Sequence, residues 1–152
     1  MKRGCGRRGS GLLIGVVGLC VAPPVAAAEW VLVGETELAQ MFVDESSLTQ
    51  QGRYVHAWFR WDYSSPQTTP DGKHFLSDKT LKYFDCALRQ SGIRQIVAYA
   101  DENGRGNVVH SVTFRPDDMR AHMQDVVPET AGETQLNYVC KNAPRPKAAP
   151  PK

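Results

Sequence analysis

Histidine, serine and cysteine are the residue types of this chain that could catalyse a reaction or hold a metal. The histidines are His56, His74, His110 and His122. They form no HxH or HxxxH pair, so no two imidazoles have the close spacing that metal sites commonly use. No serine lies in a GxSxG motif, which exposes the nucleophile of many hydrolases. We therefore expect no metal site and no enzymatic activity.

Two acidic pairs and one glycine-rich stretch are equally weak as catalytic signals. Asp44-Glu45 and Asp117-Asp118 are adjacent in sequence, and neighbouring side chains on a strand point in opposite directions. We interpret them as solvated acids in turns. Gly104-Arg105-Gly106 is too short to be a phosphate-binding loop that opens a helix. The sequence predicts no catalytic residues and no cofactor.

Residues 1–28 have the order of a secretory signal peptide. An apolar run from Leu12 to Val21 follows a basic start and precedes Ala26-Ala27-Ala28, so the mature chain is predicted to begin at Glu29. A run of about 10 apolar residues is too short for a bilayer, which needs about 20. We expect an exported protein of the periplasm or cell surface, with no transmembrane span in its mature form. The basic residues of the start are Lys2, Arg3, Arg7 and Arg8.

Removal of this segment reverses the net charge. The whole chain has 18 basic and 16 acidic residues, and the four basic residues of the first 28 leave 14 basic against 16 acidic. A mature charge of −2 gives no reason to expect nucleic-acid binding. Of 152 residues, 124 remain after the first 28, which suits one domain with a modest core.

Two cysteines, Cys86 and Cys140, stay in the mature chain, whereas Cys5 and Cys20 leave with the signal segment. An oxidising compartment and an even number favour one disulfide, which would stabilise the fold by about 4 kcal/mol. A metal site and a reactive thiol are the alternatives. The chain has no CxxC motif, and neither cysteine has a histidine within ten residues.

The mature sequence predicts an α+β fold, an antiparallel sheet of about five to six strands with a C-terminal helix packed on one face. Short connections between successive strands favour a meander. Residues 64–72 are interpreted as a loop, Ser91-Gly92 as a turn, and 101–106 as a hairpin connection. The expected strands are Trp30–Val33, Leu38–Asp44, Arg53–Tyr63, Thr80–Leu88, Ile93–Ala100 and Asn107–Phe114.

The C-terminal part contains the helix and a tail. Thr130 and Glu133 form a capping-box arrangement, and the helix should extend to about Lys141. Residues 115–127 are expected to be an irregular crossover with a short helical turn near 119–123. Residues 142–152 are expected to be a disordered tail rich in proline and lysine.

Both cysteines fall on apolar faces of their elements. Alternation along Thr80–Leu88 places Cys86 with Phe84 and Leu88, and helical spacing places Cys140 with Leu136 and Val139. These two periodicities direct the cysteines toward a shared core. They support a disulfide between the sheet and the helix.

Tyr54, Trp58 and Arg60 are the predicted partner-binding residues. Alternation along 53–63 directs them away from the face formed by Val55, Ala57, Phe59 and Trp61. Tyrosine, tryptophan and arginine are enriched at protein-protein hot spots. The face would bind a partner or form a homodimer by pairing two sheets. The alternative is that the chain's own loops cover it.

Several short motifs follow one another along the mature chain. They are Trp30, Phe42-Val43-Asp44 with Ser47, Val55-His56-Ala57-Trp58, Tyr83-Phe84-Asp85-Cys86, Pro128-Glu129-Thr130 and Val139-Cys140. In this order they resemble the surface-adhesin protein E-like domain of Gram-negative bacteria over about residues 29–141. Family members are exported and strand-rich, and the best-known member acts in adherence to host proteins. The resemblance implies that Cys86 and Cys140 form the disulfide that holds the helix to the sheet.

Two functions follow as hypotheses. The first is an exported envelope protein with a non-enzymatic, adhesin-like role, whose partner is a protein such as a host extracellular-matrix protein. The second is a periplasmic structural, accessory or inhibitor protein with a bacterial partner.

Overall fold

The computed structural model describes residues 27–115 and 122–144. Eight strands and one α-helix account for most of this part of the chain. The strands are β1 (Trp30–Glu35), β2 (Ala39–Asp44), β3 (Thr49–Gln51), β4 (Tyr54–Thr68), β5 (His74–Asp85), β6 (Gln90–Tyr99), β7 (Val108–Thr113) and β8 (Gln124–Asp125). The helix is α1 (Ala131–Asn142).

The strands form one antiparallel sheet. Its main order is β1-β2-β4-β5-β6-β7, with β3 paired to β4 and β8 paired to β6. The predicted α+β meander is thereby confirmed, because the six long strands follow one another as expected. The two short strands, β3 and β8, were not predicted.

The core lies between this sheet and α1. Val55, Ala57 and Phe59 of β4 are buried, as their alternation predicted, and they pack with Leu136 and Val139 of α1. Full burial of such a side chain stabilises a fold by about 1.5–3 kcal/mol for the larger residues. These contacts hold the helix on one face of the sheet.

Thr130 caps the N-terminus of α1. Its Oγ1 accepts a hydrogen bond from the Glu133 backbone N–H at 3.4 Å. The Glu133 carboxylate accepts from the Glu129 N–H at 2.8 Å, not from the Thr130 N–H of the usual reciprocal arrangement. The predicted helix is confirmed and ends one residue beyond Lys141.

The disulfide between Cys86 and Cys140 is also confirmed. The two Cα atoms are 5.7 Å apart and 54 positions apart in sequence. Both cysteines pack against the core cluster. The bond therefore connects the turn after β5 to the last part of α1.

The predicted loop at residues 64–72 was wrong in its first half. β4 continues to Thr68 and pairs with β5 as far as His74. The register is irregular between Asp62 and Gln67, which accommodates Pro66 because no ladder bond is required there. The chain reverses between Thr69 and Lys73, where the Thr69 N–H donates to the Lys73 carbonyl at 2.8 Å.

The expected strand to Leu88 ends three residues early. Asp85 Oδ1 accepts from the backbone N–H groups of Ala87 and Leu88, at 3.2 and 3.1 Å, and this local turn stops β5. Leu88 is consequently 56% exposed and does not belong to the core. Ser91-Gly92, expected to be a turn, lies inside β6.

Four expectations fall wholly or partly outside the described residues. These are the signal segment, the acidic pair Asp117-Asp118, the tail beyond residue 144 and the helical turn near 119–123. The described end of that crossover contributes β8. Within residues 27–115 and 122–144, no helix is long and apolar enough to cross a bilayer.

Candidate functional site

The sheet face opposite α1 carries most of the aromatic side chains outside the core. Strand pairing aligns the positions of this face: Phe42 is opposite Arg60, and Arg60 is opposite Lys79. We call this surface the aromatic face. Its members are Trp30, Phe42, Tyr54, His56, Trp58, Arg60, Lys79, Leu81, Tyr83, Val97 and Tyr99.

Arg60 lies at the centre of the aromatic face and is only 7% exposed. Its guanidinium is 4.3 Å from the centroid of the Phe42 ring and 4.9 Å from that of Trp30. Its Nε also donates to Asp62 at 2.9 Å. These contacts satisfy the buried charge and fix the positions of both rings.

Lys79 is the second cation of this centre. Its Nζ is 5.1 Å from the Tyr99 ring centroid and 5.8 Å from that of Trp30. Partial burial lowers the pKa of Lys79, and the neighbouring Arg60 charge lowers it further. The aromatic rings and Asp62 offset part of this repulsion.

The connection between β6 and β7 lies against one end of the aromatic face. Asp62 Oδ1 accepts from the Asn103 N–H at 2.8 Å, and Ser77 Oγ accepts from the Gly104 N–H at 2.9 Å. Gly104 has φ of +65°, and a Cβ there would lie 2.2 Å from the Lys79 side chain. Glycine therefore allows both this turn and its close approach to Lys79.

Tyr54, His56 and Trp58 line the other end of the face and are half-buried. The His56 ring packs on Tyr83, with centroids 3.9 Å apart. His56 Nε2 is buried and has no hydrogen-bond partner among the described residues. Burial lowers the pKa of His56, because its charged form would lose hydration.

The three predicted partner-binding residues share this face, but their exposure differs. Tyr54 and Trp58 are partly accessible, whereas Arg60 is buried beneath Phe42 and Trp30. Sequence reasoning missed Trp30, Phe42, Lys79 and Tyr99 because they come from four other strands. Alternation along β5, with Lys79, Leu81 and Tyr83 on one side, was the available signal for that strand.

The acidic pair Asp44-Glu45 was expected to be solvated, and the structure differs from that expectation. Asp44 is 8% exposed and is not a solvated acid. Its Oδ1 accepts from the N–H groups of Ser46 and Glu29, at 3.1 and 3.0 Å. Glu45 accepts from the Tyr138 hydroxyl. The pair thus holds the turn after β2 to the beginning of β1 and to α1.

The histidine, cysteine and acidic side chains of the described residues do not cluster, whereas many aromatic side chains share one sheet face. Among the described residues, no three of histidine, cysteine, aspartate and glutamate converge on a common metal position. The aromatic face instead combines partly accessible rings with fixed cations. Such a surface is suited to recognition of another macromolecule.

The fold defines a small disulfide-linked α+β domain with an aromatic face on its sheet. The chain belongs to the surface-adhesin protein E family, whose model matches residues 30–141. The resemblance noted from the motifs is thereby confirmed. No curated protein matches the chain significantly.

Solved structures of Haemophilus influenzae protein E share the fold. One is 16% identical, with a TM-score of 0.55, and the match covers 80% of this chain and 92% of that chain. A second crystal form is 17% identical, with a TM-score of 0.56 and coverage of 80% and 95%. A structure from non-typeable H. influenzae is 16% identical, with a TM-score of 0.52 and coverage of 80% and 82%.

Proposed function

We propose that this protein is an exported, non-enzymatic binding protein of the cell envelope, and that its aromatic face contacts a protein partner. Membership of the surface-adhesin family supports an adhesin-like role. The observation that carries the assignment of the face is the set of partly accessible rings around Arg60 and Lys79. Aromatic rings bury a large area with little loss of side-chain freedom.

Within this proposal, Trp58 and Tyr54 are direct contacts and Arg60 is a positioning residue. The Trp58 backbone N–H donates to Ser47 Oγ at 2.9 Å, which fixes β4 beside the turn after β2. Arg60 holds the rings of Phe42 and Trp30 at its two sides. The same surface would serve a homodimer in which two sheets pair face to face.

Substitution of Trp58 by alanine tests the proposal in the processed chain from Glu29. We expect binding to immobilised extracellular-matrix proteins, measured by surface plasmon resonance, to weaken at least about tenfold, the size of a hot-spot loss. Leu88→Ala is the matched control, because Leu88 is 56% exposed and lies outside the aromatic face. Sedimentation of the same variants measures their oligomeric state and so tests whether a homodimer forms through the aromatic face.

Two outcomes would contradict this assignment. Saturable binding that Trp58→Ala leaves unchanged would remove the aromatic face from the contact. A lower melting temperature of the variant, with unaltered affinity and oligomeric state, would show that Trp58 serves stability alone.

The second candidate is a periplasmic accessory or inhibitor protein that uses this face for a bacterial partner. The predicted signal segment favours export but is equally consistent with both compartments. Protease treatment of intact cells separates the two candidates. Digestion of the protein supports surface display, whereas protection until the outer membrane is permeabilised supports the periplasmic role.

A further inference from the structure

A cleft of about 390 Å³ opens on the side of the sheet away from the aromatic face. It lies between β5, β6 and the segment that leads into α1. Ile93, Phe114, Val126 and Val127 give it apolar walls. Its volume is in the range of small-molecule sites, about 300–1,000 Å³.

Lys82 brings a cation into this cleft. It occupies the core-facing side of β5, opposite Ala57 of β4. Its Nζ donates to Gln135 Oε1 at 2.7 Å and is 5.5 Å from the centroid of the Phe84 ring. Gln135 is itself 3% exposed. The ammonium is therefore held in place by neutral neighbours.

A buried ammonium is costly unless an anion or several acceptors compensate it. The ion pairs formed within residues 27–115 and 122–144 do not include Lys82. Gln135 supplies one acceptor, and an ammonium has three N–H groups to donate. This leaves donor capacity for a ligand that enters the cleft.

The first turn of α1 borders the cleft, and its Glu133 carboxylate is paired with Arg89. Thr130 and Gly132 line the cleft, and the N-terminus of a helix favours negative charge. Asp125 and His122 also line it, but both are exposed, and the Asp125 carboxylate accepts from Gln90 at 3.0 Å. Asp125 is therefore exposed to solvent, whereas Lys82 is partly buried.

We propose that this cleft binds a small carboxylate with an apolar tail, such as a medium-chain fatty acid. The carboxylate accepts a hydrogen bond from Lys82 Nζ, and the tail packs against Ile93, Phe114 and Val126. Charge complementarity selects the carboxylate over an alcohol or an amine of the same length. The site is separate from the aromatic face, so its ligand need not compete with a protein partner.

Calorimetric titration with octanoate, below its micelle concentration, tests this inference in the processed chain. We expect octanoate to bind and octanol to bind at least tenfold more weakly. Lys82→Met should reduce octanoate affinity at least tenfold, since it removes the charge at similar volume. Lys73→Met is the matched control, because Lys73 is 58% exposed and lies outside the cleft.

Equal affinity for octanoate and octanol, absence of binding, or an unchanged affinity of Lys82→Met would overturn the inference. If Lys82→Met does not fold, the pH dependence of octanoate affinity for the unmodified protein provides the test. Burial lowers the pKa of Lys82 to about 8, so affinity should fall as the pH rises through that value. Asp125 and His122 are the other titratable groups that line the cleft. Constant affinity from pH 7 to pH 9.5 would contradict the role of Lys82.

Discussion

Arg60 and Lys79 are directly opposite one another on β4 and β5, so two like charges occupy one cross-strand pair. Such a pair is unfavourable by itself. Trp30 lies against both cations, Phe42 lies against Arg60, and Tyr99 lies against Lys79. The rings and Asp62 compensate the two charges and hold them at the centre of the aromatic face.

Replacement of Arg60 by methionine should raise the pKa of Lys79. Burial and the Arg60 charge both lower that pKa, and the substitution removes the second cause. The measurement is a ¹³Cε titration of Lys79 by NMR. Arg89→Met is the control, because Arg89 pairs with Glu133 on the helix side of the molecule. A Lys79 pKa that stays constant or falls in the Arg60 variant would contradict the coupling.

Acidification should destabilise the fold through His56. Burial lowers its folded-state pKa below 6.5, so the unfolded chain binds more protons in the window below that value. Stability is therefore present above pH 6.5 and is lost as the pH falls through the folded pKa. Urea unfolding at pH 7 and pH 5 should show a smaller loss in His56→Phe than in the unmodified protein. His74→Gln, which replaces an exposed histidine, should behave like the unmodified protein.

Loss of the disulfide should destabilise the domain by about 4 kcal/mol, because it closes a loop of 54 positions. A Cys86→Ala/Cys140→Ala double variant, compared with the oxidised chain by chemical unfolding, measures this difference. The oxidised chain in dithiothreitol should approach the stability of the variant. Equal stability of all three samples would show that packing alone holds α1.

Alkaline pH should stabilise the unmodified protein relative to Lys82→Met. Burial lowers the pKa of Lys82 from 10.5 to about 8, so between these values the unfolded chain holds the extra proton. The difference in unfolding free energy should change by up to about 3 kcal/mol across this window. Comparison of the two proteins cancels the contribution of every titratable group that they share. A difference that is independent of pH would show that Lys82 is hydrated in the folded state.

Short-range patterns predicted the elements that depend on local chemistry. Alternation from Val55 to Trp61 identified the inner face of β4, and Thr130 identified the start of α1. Two of the wrong predictions have different causes, one in strand register and one in a side-chain turn. Pro66 lies where β4 and β5 are out of regular register, and Asp85 ends β5 through its own side chain.

The aromatic face was predicted only within a single strand. Tyr54, Trp58 and Arg60 follow from alternation, but Trp30 and Lys79 join them through pairing between strands. Alternation does not reveal register across a sheet, so it could not show that Arg60 would be enclosed. The cleft at Lys82 was missed for a similar reason. A lysine on an apolar strand face looks solvated until its neighbours are known.

The disulfide also determines how the domain would respond to a pulling force. Tension applied at the C-terminus would pass from Cys140 to Cys86 and enter the sheet beside β5, one of its two central strands. The helix would not peel away first, because the covalent bond bypasses its noncovalent packing. The load would be shared by β4 and β6, the antiparallel neighbours of β5.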